Sequence, residues 1–168
     1  MLIGFTSTSF RQIKSIEKIV KIASQAGADC IEWGGDIHVK DLPSAKKAKK
    51  LCDDAGIKIC SYGSYYRVGS KNADKWREIC EIASALGAES VRVWLGTKGS
   101  EKTEAETYES LVEDAKSICS VAKKYNLEKI KTRVTDDIFE YATERTHNKF
   151  NPNRRWLIKH CQVWKNLY

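Results

Sequence analysis

Three stretches decide the fold: Gly27-Ala-Asp-Cys-Ile-Glu-Trp33, Gly56-Ile-Lys-Ile-Cys-Ser-Tyr62 and Gly87-Ala-Glu-Ser-Val-Arg-Val-Trp94. Each opens with a glycine at the end of a helical pattern, where a left-handed residue stops a helix without steric cost. Each then runs into a short stretch rich in β-formers. The glycines stand 29 and 31 residues apart, the length of one strand-plus-helix unit.

The segments between them have helical periodicity. Ile16, Ile19, Val20, Ala23 and Ala26 make one apolar stripe, opened by Ser15 as a cap. Ala45, Ala48, Leu51, Cys52 and Ala55 make the next, with Pro43 in its first turn. Trp76, Ile79, Cys80, Ala83 and Leu86 follow, and the longest runs from Tyr108 to Ala122 behind a Thr103/Glu106 capping box. A first strand is expected at 2–6. Asn126 stands where the next helix stop belongs, and a fifth strand is expected within 127–134. The order βαβαβαβαβ requires a mainly parallel sheet with right-handed crossovers. After Val134 the rhythm fails. The chain is therefore read as a βα-repeat over 1–134 with an atypical C-terminal tail over 135–168, both in one domain.

Aligning the strands on their glycines sorts the side chains by face. One set is Ala28, Cys30, Glu32; Ile57, Ile59, Ser61; and Ala88, Ser90, Arg92. The other contains Ile31, Trp33, Cys60, Tyr62, Val91 and Val93. The second set is bulkier and suits the space between sheet and helices. The first is smaller and ends in polar groups at one height, so Glu32 and Arg92 share a layer at the C-terminal end of the strands. That pair is either a structural ion pair or part of a site. The stretches that follow the strands, Gly34–His38, Gly63–Arg67 and Trp94–Ser100, are read as loops. They carry glycines that admit close backbone approach, and Lys98 before the fourth helix is placed to hold an anion. None is a phosphate-binding fingerprint.

Composition bounds the rest. The chain has 168 residues, 42% of them apolar, with two prolines and ten glycines, which fits one globular domain and excludes a fibre or a disordered chain. No apolar run approaches the roughly 20 residues of a membrane span, and the N-terminus lacks a signal pattern, so a cytoplasmic protein with no membrane partner is expected. The six cysteines show no CxxC spacing, and reduced, buried thiols are expected. The net charge is +7, with nine basic and five acidic side chains in residues 128–168 alone. Lys46, Lys47, Lys49 and Lys50 lie off their helix's apolar stripe and read as a solvated face rather than a nucleic-acid patch.

Ile31-Glu32-Trp33-Gly34-Gly35-Asp36-Ile37-His38 resembles the sugar-phosphate isomerase/epimerase group of xylose-isomerase-like barrels. So do the opening Ile3-Gly4-Phe5-Thr6 and the fourth-strand Val91-Arg92-Val93-Trp94-Leu95-Gly96. The resemblance covers residues 1–127 and implies an α/β fold. This would be a partial (β/α) TIM-type barrel with about five parallel strands and four to five helices, truncated at its C-terminal end. It implies metal-assisted proton transfer next to a carbonyl, a divalent metal ion, and a small-molecule sugar or sugar phosphate as partner. Glu140, in Phe139-Glu140-Tyr141-Ala142, is the one local match to the family's fifth-strand glutamate, and would be catalytic residue and metal ligand. Alanine replaces the family's histidine at 142, and strands six to eight have no counterpart, so activity is expected to be weak or absent. Substrate contacts are expected from Glu32, His38, Tyr62, Arg92, Trp94 and Lys98. The open sheet edges and inward-facing Ile57 and Ile59 imply a homo-oligomer or another partner. Two other readings stand beside this one. A non-catalytic α/β module would have flavodoxin-like strand order 2-1-3-4-5. A nuclease resembling apurinic endonucleases would need more than the three histidines present.

Overall fold

The computed structural model describes residues 2–96, 105–127 and 130–133. Five strands form one sheet: β1 (Gly4–Thr6), β2 (Cys30–Gly34), β3 (Lys58–Val68), β4 (Val91–Leu95) and β5 (Ile130–Arg133). They lie in sequence order and every neighbouring pair is parallel. Helices α1 (Ile16–Gln25), α2 (Leu42–Asp54), α3 (Ala73–Leu86) and α4 (Ala105–Lys123) supply the crossovers, and a 3₁₀ turn at Ser7–Phe10 follows β1. Consecutive order is that of a barrel wall, not of a doubly wound sheet, so the flavodoxin-like arrangement is excluded.

The helix signals fold as read. The Ser15 side chain accepts the Lys18 amide at the start of α1. Asp41 and Ser44 close a capping box around α2, whose first turn holds Pro43. Gly27, Gly56 and Gly87 have φ of 66°, 67° and 71°, and Asn126 joins them at 58°. In all four cases the next amide reaches back five residues, from Ala28 to Ala23, Ile57 to Cys52, Ala88 to Ala83 and Leu127 to Ala122, at 2.9–3.1 Å. This is the left-handed stop that satisfies the last helical carbonyls.

The apolar stripes meet the sheet. Ile19, Ala23, Ala45, Ala48, Cys52, Ala83 and Leu86 are fully buried against Ile31, Trp33, Val91 and Val93 in one cluster. Trp76 Nε1 donates to the Ile118 carbonyl at 2.8 Å, tying α3 to α4. Cys30, Cys52 and Cys80 carry free, buried thiols. Burial pushes the Cys80 thiol up to about 12, so it stays protonated at neutral pH.

Two expectations are corrected. Gly63–Arg67 is strand, not loop: β3 runs eleven residues, to Val68. Two irregularities absorb its length. Cys60 is extra opposite the Ile31–Glu32 step of β2, and Ser64–Tyr66 stand opposite Val93 alone. Such bulges bend a strand and re-aim its side chains. Ile57 and Ile59 are also buried, at 6% and 7% exposure, where an uncovered inward face was expected.

Candidate functional site

The polar ends of β2, β3 and β4 converge where parallel α/β sheets place their sites, beyond the carboxyl ends of the strands. Glu32 on β2 and Arg92 on β4 are two strands apart, with β3 between them. Register sets Gly63 directly beside Arg92, and the side chains meet over it. Arg92 Nε lies 3.3 Å from both Glu32 oxygens, and Nη2 lies 3.3 Å from Oε1. The two side chains are 17% and 20% exposed. An ion pair so placed gives up hydration on both partners and adds little net stability, so stability alone does not account for it. Ser61 is the register partner of Glu32, and its buried Oγ has no hydrogen-bond partner among the described residues.

An aromatic platform adjoins the pair. Trp94, two residues beyond Arg92 on the same face of β4, has the Arg92 guanidinium 5.9 Å from its ring centre and that of Arg67 at 5.6 Å. The Tyr65 ring lies 6.5 Å away, and its hydroxyl accepts from Arg11 Nη2 at 2.8 Å. Arg11 Nη1 donates to Asp36 Oδ2 at 2.5 Å, which raises the pKa of the guanidinium above its ordinary value. Arg67 Nη1 donates to the Gly96 carbonyl at 3.1 Å. The mouth thus presents one indole, one phenol and three guanidinium groups, two of them matched by carboxylates.

His38 and Tyr62 lie elsewhere. His38 is 4% exposed, with Nε2 2.8 Å from the Ile13 carbonyl and Nδ1 3.0 Å from Ser7 Oγ. A carbonyl only accepts, so Nε2 bears the proton. Ser7 Oγ accepts the Gly34 amide and donates its own hydrogen to Nδ1. Both ring nitrogens are committed to holding the β2–α2 loop against the 3₁₀ turn. Tyr62 packs in the helix-side core with its hydroxyl on the Val39 carbonyl at 3.0 Å, and burial pushes its phenol above the usual tyrosine range. Of the expected substrate contacts, Glu32, Arg92 and Trp94 come together at the mouth. His38 and Tyr62 do not join them, and Lys98 lies outside the described residues, as does Glu140. Sequence reasoning did not assign Arg11, Asp36, Tyr65 or Arg67 to a site. Two of them were legible: carrying the alternation of Ser61 and Gly63 onward puts Tyr65 and Arg67 on the same face.

The described residues do not fit a divalent metal. No three His, Cys, Asp or Glu side chains among them are grouped to hold one. Glu32 and Asp36 each face an arginine, and His38 has no nitrogen to spare.

Residues 20–140 match the family described as xylose isomerase-like TIM barrel. Among solved structures, the fold resembles the probable 3-DHS dehydratase AsbF of Bacillus anthracis (TM-score 0.72, 20% identity, 86% of this chain and 57% of that one). It also resembles a sugar phosphate isomerase/epimerase of Parabacteroides distasonis (0.59, 16%, 79% and 51%). A third similar structure is D-psicose 3-epimerase of Clostridium cellulolyticum (0.60, 13%, 77% and 51%). The chain spans between half and three-fifths of these structures' length. No curated protein matches it in sequence.

Proposed function

The chain belongs to the xylose isomerase-like TIM barrel family, and from that premise we propose that its concave mouth binds a sugar or sugar phosphate for isomerase- or epimerase-type chemistry. The observation that carries the reading is the Glu32–Arg92 pair crossing over Gly63 beside the Trp94 indole. A sugar presents vicinal hydroxyls, which a carboxylate accepts and a guanidinium fork donates to. It also presents a C–H face that lies flat on an indole. The proton step next to the carbonyl needs a carboxylate base, and we assign it to Glu140. The described residues supply recognition and orientation.

The test is titration of the 168-residue protein with neutral ketoses such as fructose and xylulose, followed by thermal shift and calorimetry. Binding at millimolar ligand is expected to raise Tm through mass action, and Trp94→Ala and Arg92→Gln are expected to weaken it at least fivefold. Turnover of the bound ketose is expected to be slight or absent. Failure of the wild-type protein to bind any ketose, or equal binding by both variants, overturns the reading.

A further inference from the structure

Of the three guanidinium groups at the mouth, Arg11 faces Asp36 and Arg92 faces Glu32. Arg67 has no carboxylate partner among the described residues. Its side chain is exposed on the concave side, fixed at two points: Nη1 on the Gly96 carbonyl and the guanidinium plane near the Trp94 ring. Neither contact neutralises it. The carbonyl uses one of five N–H donors, and a cation–π contact at an exposed site is weak and leaves the charge in place. Such contacts orient a guanidinium while leaving its charge and most of its donors available. Tyr65 stands two residues earlier on the same face of β3, a rise of about 7 Å. Its oxygen accepts from Arg11, so its own O–H is left to donate. Both residues adjoin the Trp94 indole, which the guanidinium of Arg92, paired with Glu32, also approaches at 5.9 Å.

We propose that Arg67 and Tyr65, mounted against Trp94, form a subsite for an oxyanion group, a phosphate or a carboxylate, at one end of a polyhydroxylated substrate. The proposal rests on the sugar-binding reading above and narrows its substrate class to anionic sugars. A guanidinium held in place by uncharged partners matches an oxyanion with paired, charge-assisted hydrogen bonds. An adjoining phenol adds a donor that a neutral chain end does not require.

The experiment compares xylulose, xylulose 5-phosphate, xylonate and inorganic phosphate as ligands of the whole protein by calorimetry at low salt. At least one anionic sugar is expected to bind ten times more tightly than xylulose, and which of the two gains more identifies phosphate or carboxylate as the group recognised. Arg67→Gln is expected to abolish that advantage and leave xylulose affinity within twofold. Arg67→Lys is expected to restore part of it, and Lys71→Gln, at an exposed lysine paired with Glu113, to leave it intact. Equal affinity for xylulose and both anions overturns the subsite and leaves the sugar reading standing. Inorganic phosphate bound in an Arg67-dependent way without any sugar binding does the reverse. An anionic preference unchanged in Arg67→Gln also overturns the subsite.

Discussion

At position 63 a methyl group would stand 2.7 Å from Arg92 Nη2 and 3.4 Å from Glu32 Oε1. The absence of a side chain is what lets an ion pair span two strands. The atoms in the way are ends of flexible side chains, so Gly63→Ala is expected to fold with a stability loss below about 1 kcal/mol, while the displaced Arg92 weakens sugar binding at least fivefold. Gly35 tests the contrast. A Cβ there would meet the Tyr62 hydroxyl at 2.5 Å and its ring carbon at 2.7 Å, a rigid ring locked on the Val39 carbonyl. Gly35→Ala is therefore expected to lose about 2–3 kcal/mol in urea denaturation. If Gly63→Ala proves the costlier of the two, the ion pair is a rigid structural element and not an adaptable one.

At the element scale, one carboxylate organises the turn between β3 and α3. Asp114 on α4 is 5% exposed. It accepts the Gly69 amide at 2.6 Å, the Lys71 amide at 3.3 Å and the Tyr66 hydroxyl at 3.2 Å. Gly69 takes its φ of 95° without steric cost, but Lys71 is held at φ 52°, a left-handed conformation unfavourable for a residue with a side chain, and those bonds hold the turn in it. Asp114→Ala is expected to destabilise by about 3 kcal/mol, and Asp114→Asn, which keeps one acceptor oxygen, by about 1 kcal/mol, with faster amide exchange at 69–71 in both. The junction of α1 and α2 responds to acid. Lys47, with the Glu17 amide and Ser15 helping, holds the Glu17 carboxyl down to about 2. A carboxyl with a lowered folded pKa stabilises above its ordinary pKa of 4.5 and loses that contribution as pH falls toward 2. The pair is solvent-exposed, so the effect is small. The stability difference between wild type and Glu17→Gln is expected to be present at pH 7 and to shrink as pH falls from 4.5 toward about 2; a difference unchanged at pH 2 assigns it to something other than the charge.

For the whole molecule, the sheet's order leaves β1 and β5 each with one neighbour among the described strands. Leu2 and Ile3, leading into β1, are 58% and 63% exposed. An unpaired strand edge flanked by exposed apolar side chains is a template for another strand. The 19.1 kDa chain is expected to sediment as a larger species at micromolar concentration, and Leu2→Lys with Ile3→Lys to shift it toward the monomer. A wild-type chain that sediments as a monomer shows that edge to be covered by other means.

Much of this was settled by the sequence before folding. The glycines at 27, 56 and 87 and Asn126 carry their own backbone preference, so helix ends, element order and the parallel topology that order requires are local properties. Period-two alternation likewise put Glu32 and Arg92 on one face and Trp33 and Val93 on the other. Register was not legible. Counting from the glycines pairs Arg92 with Ser61, whereas the sheet pairs it with Gly63; the extra Cys60 reverses the alternation of β3, so that Ile59 partners the helix-side Ile31 while Ser61 partners Glu32, and Ser64–Tyr66 add two further residues before Arg67 meets Trp94. A bulge is a property of two strands together, decided by which hydrogen bonds they exchange, and a single strand's pattern does not record it. The same holds for His38 and the mouth. His38 sits in a polar loop sequence, and only the approach of Ser7 and Ile13 from another element buries it. Arg67 and Trp94 are 27 residues apart in the chain, and their meeting depends on that shifted register.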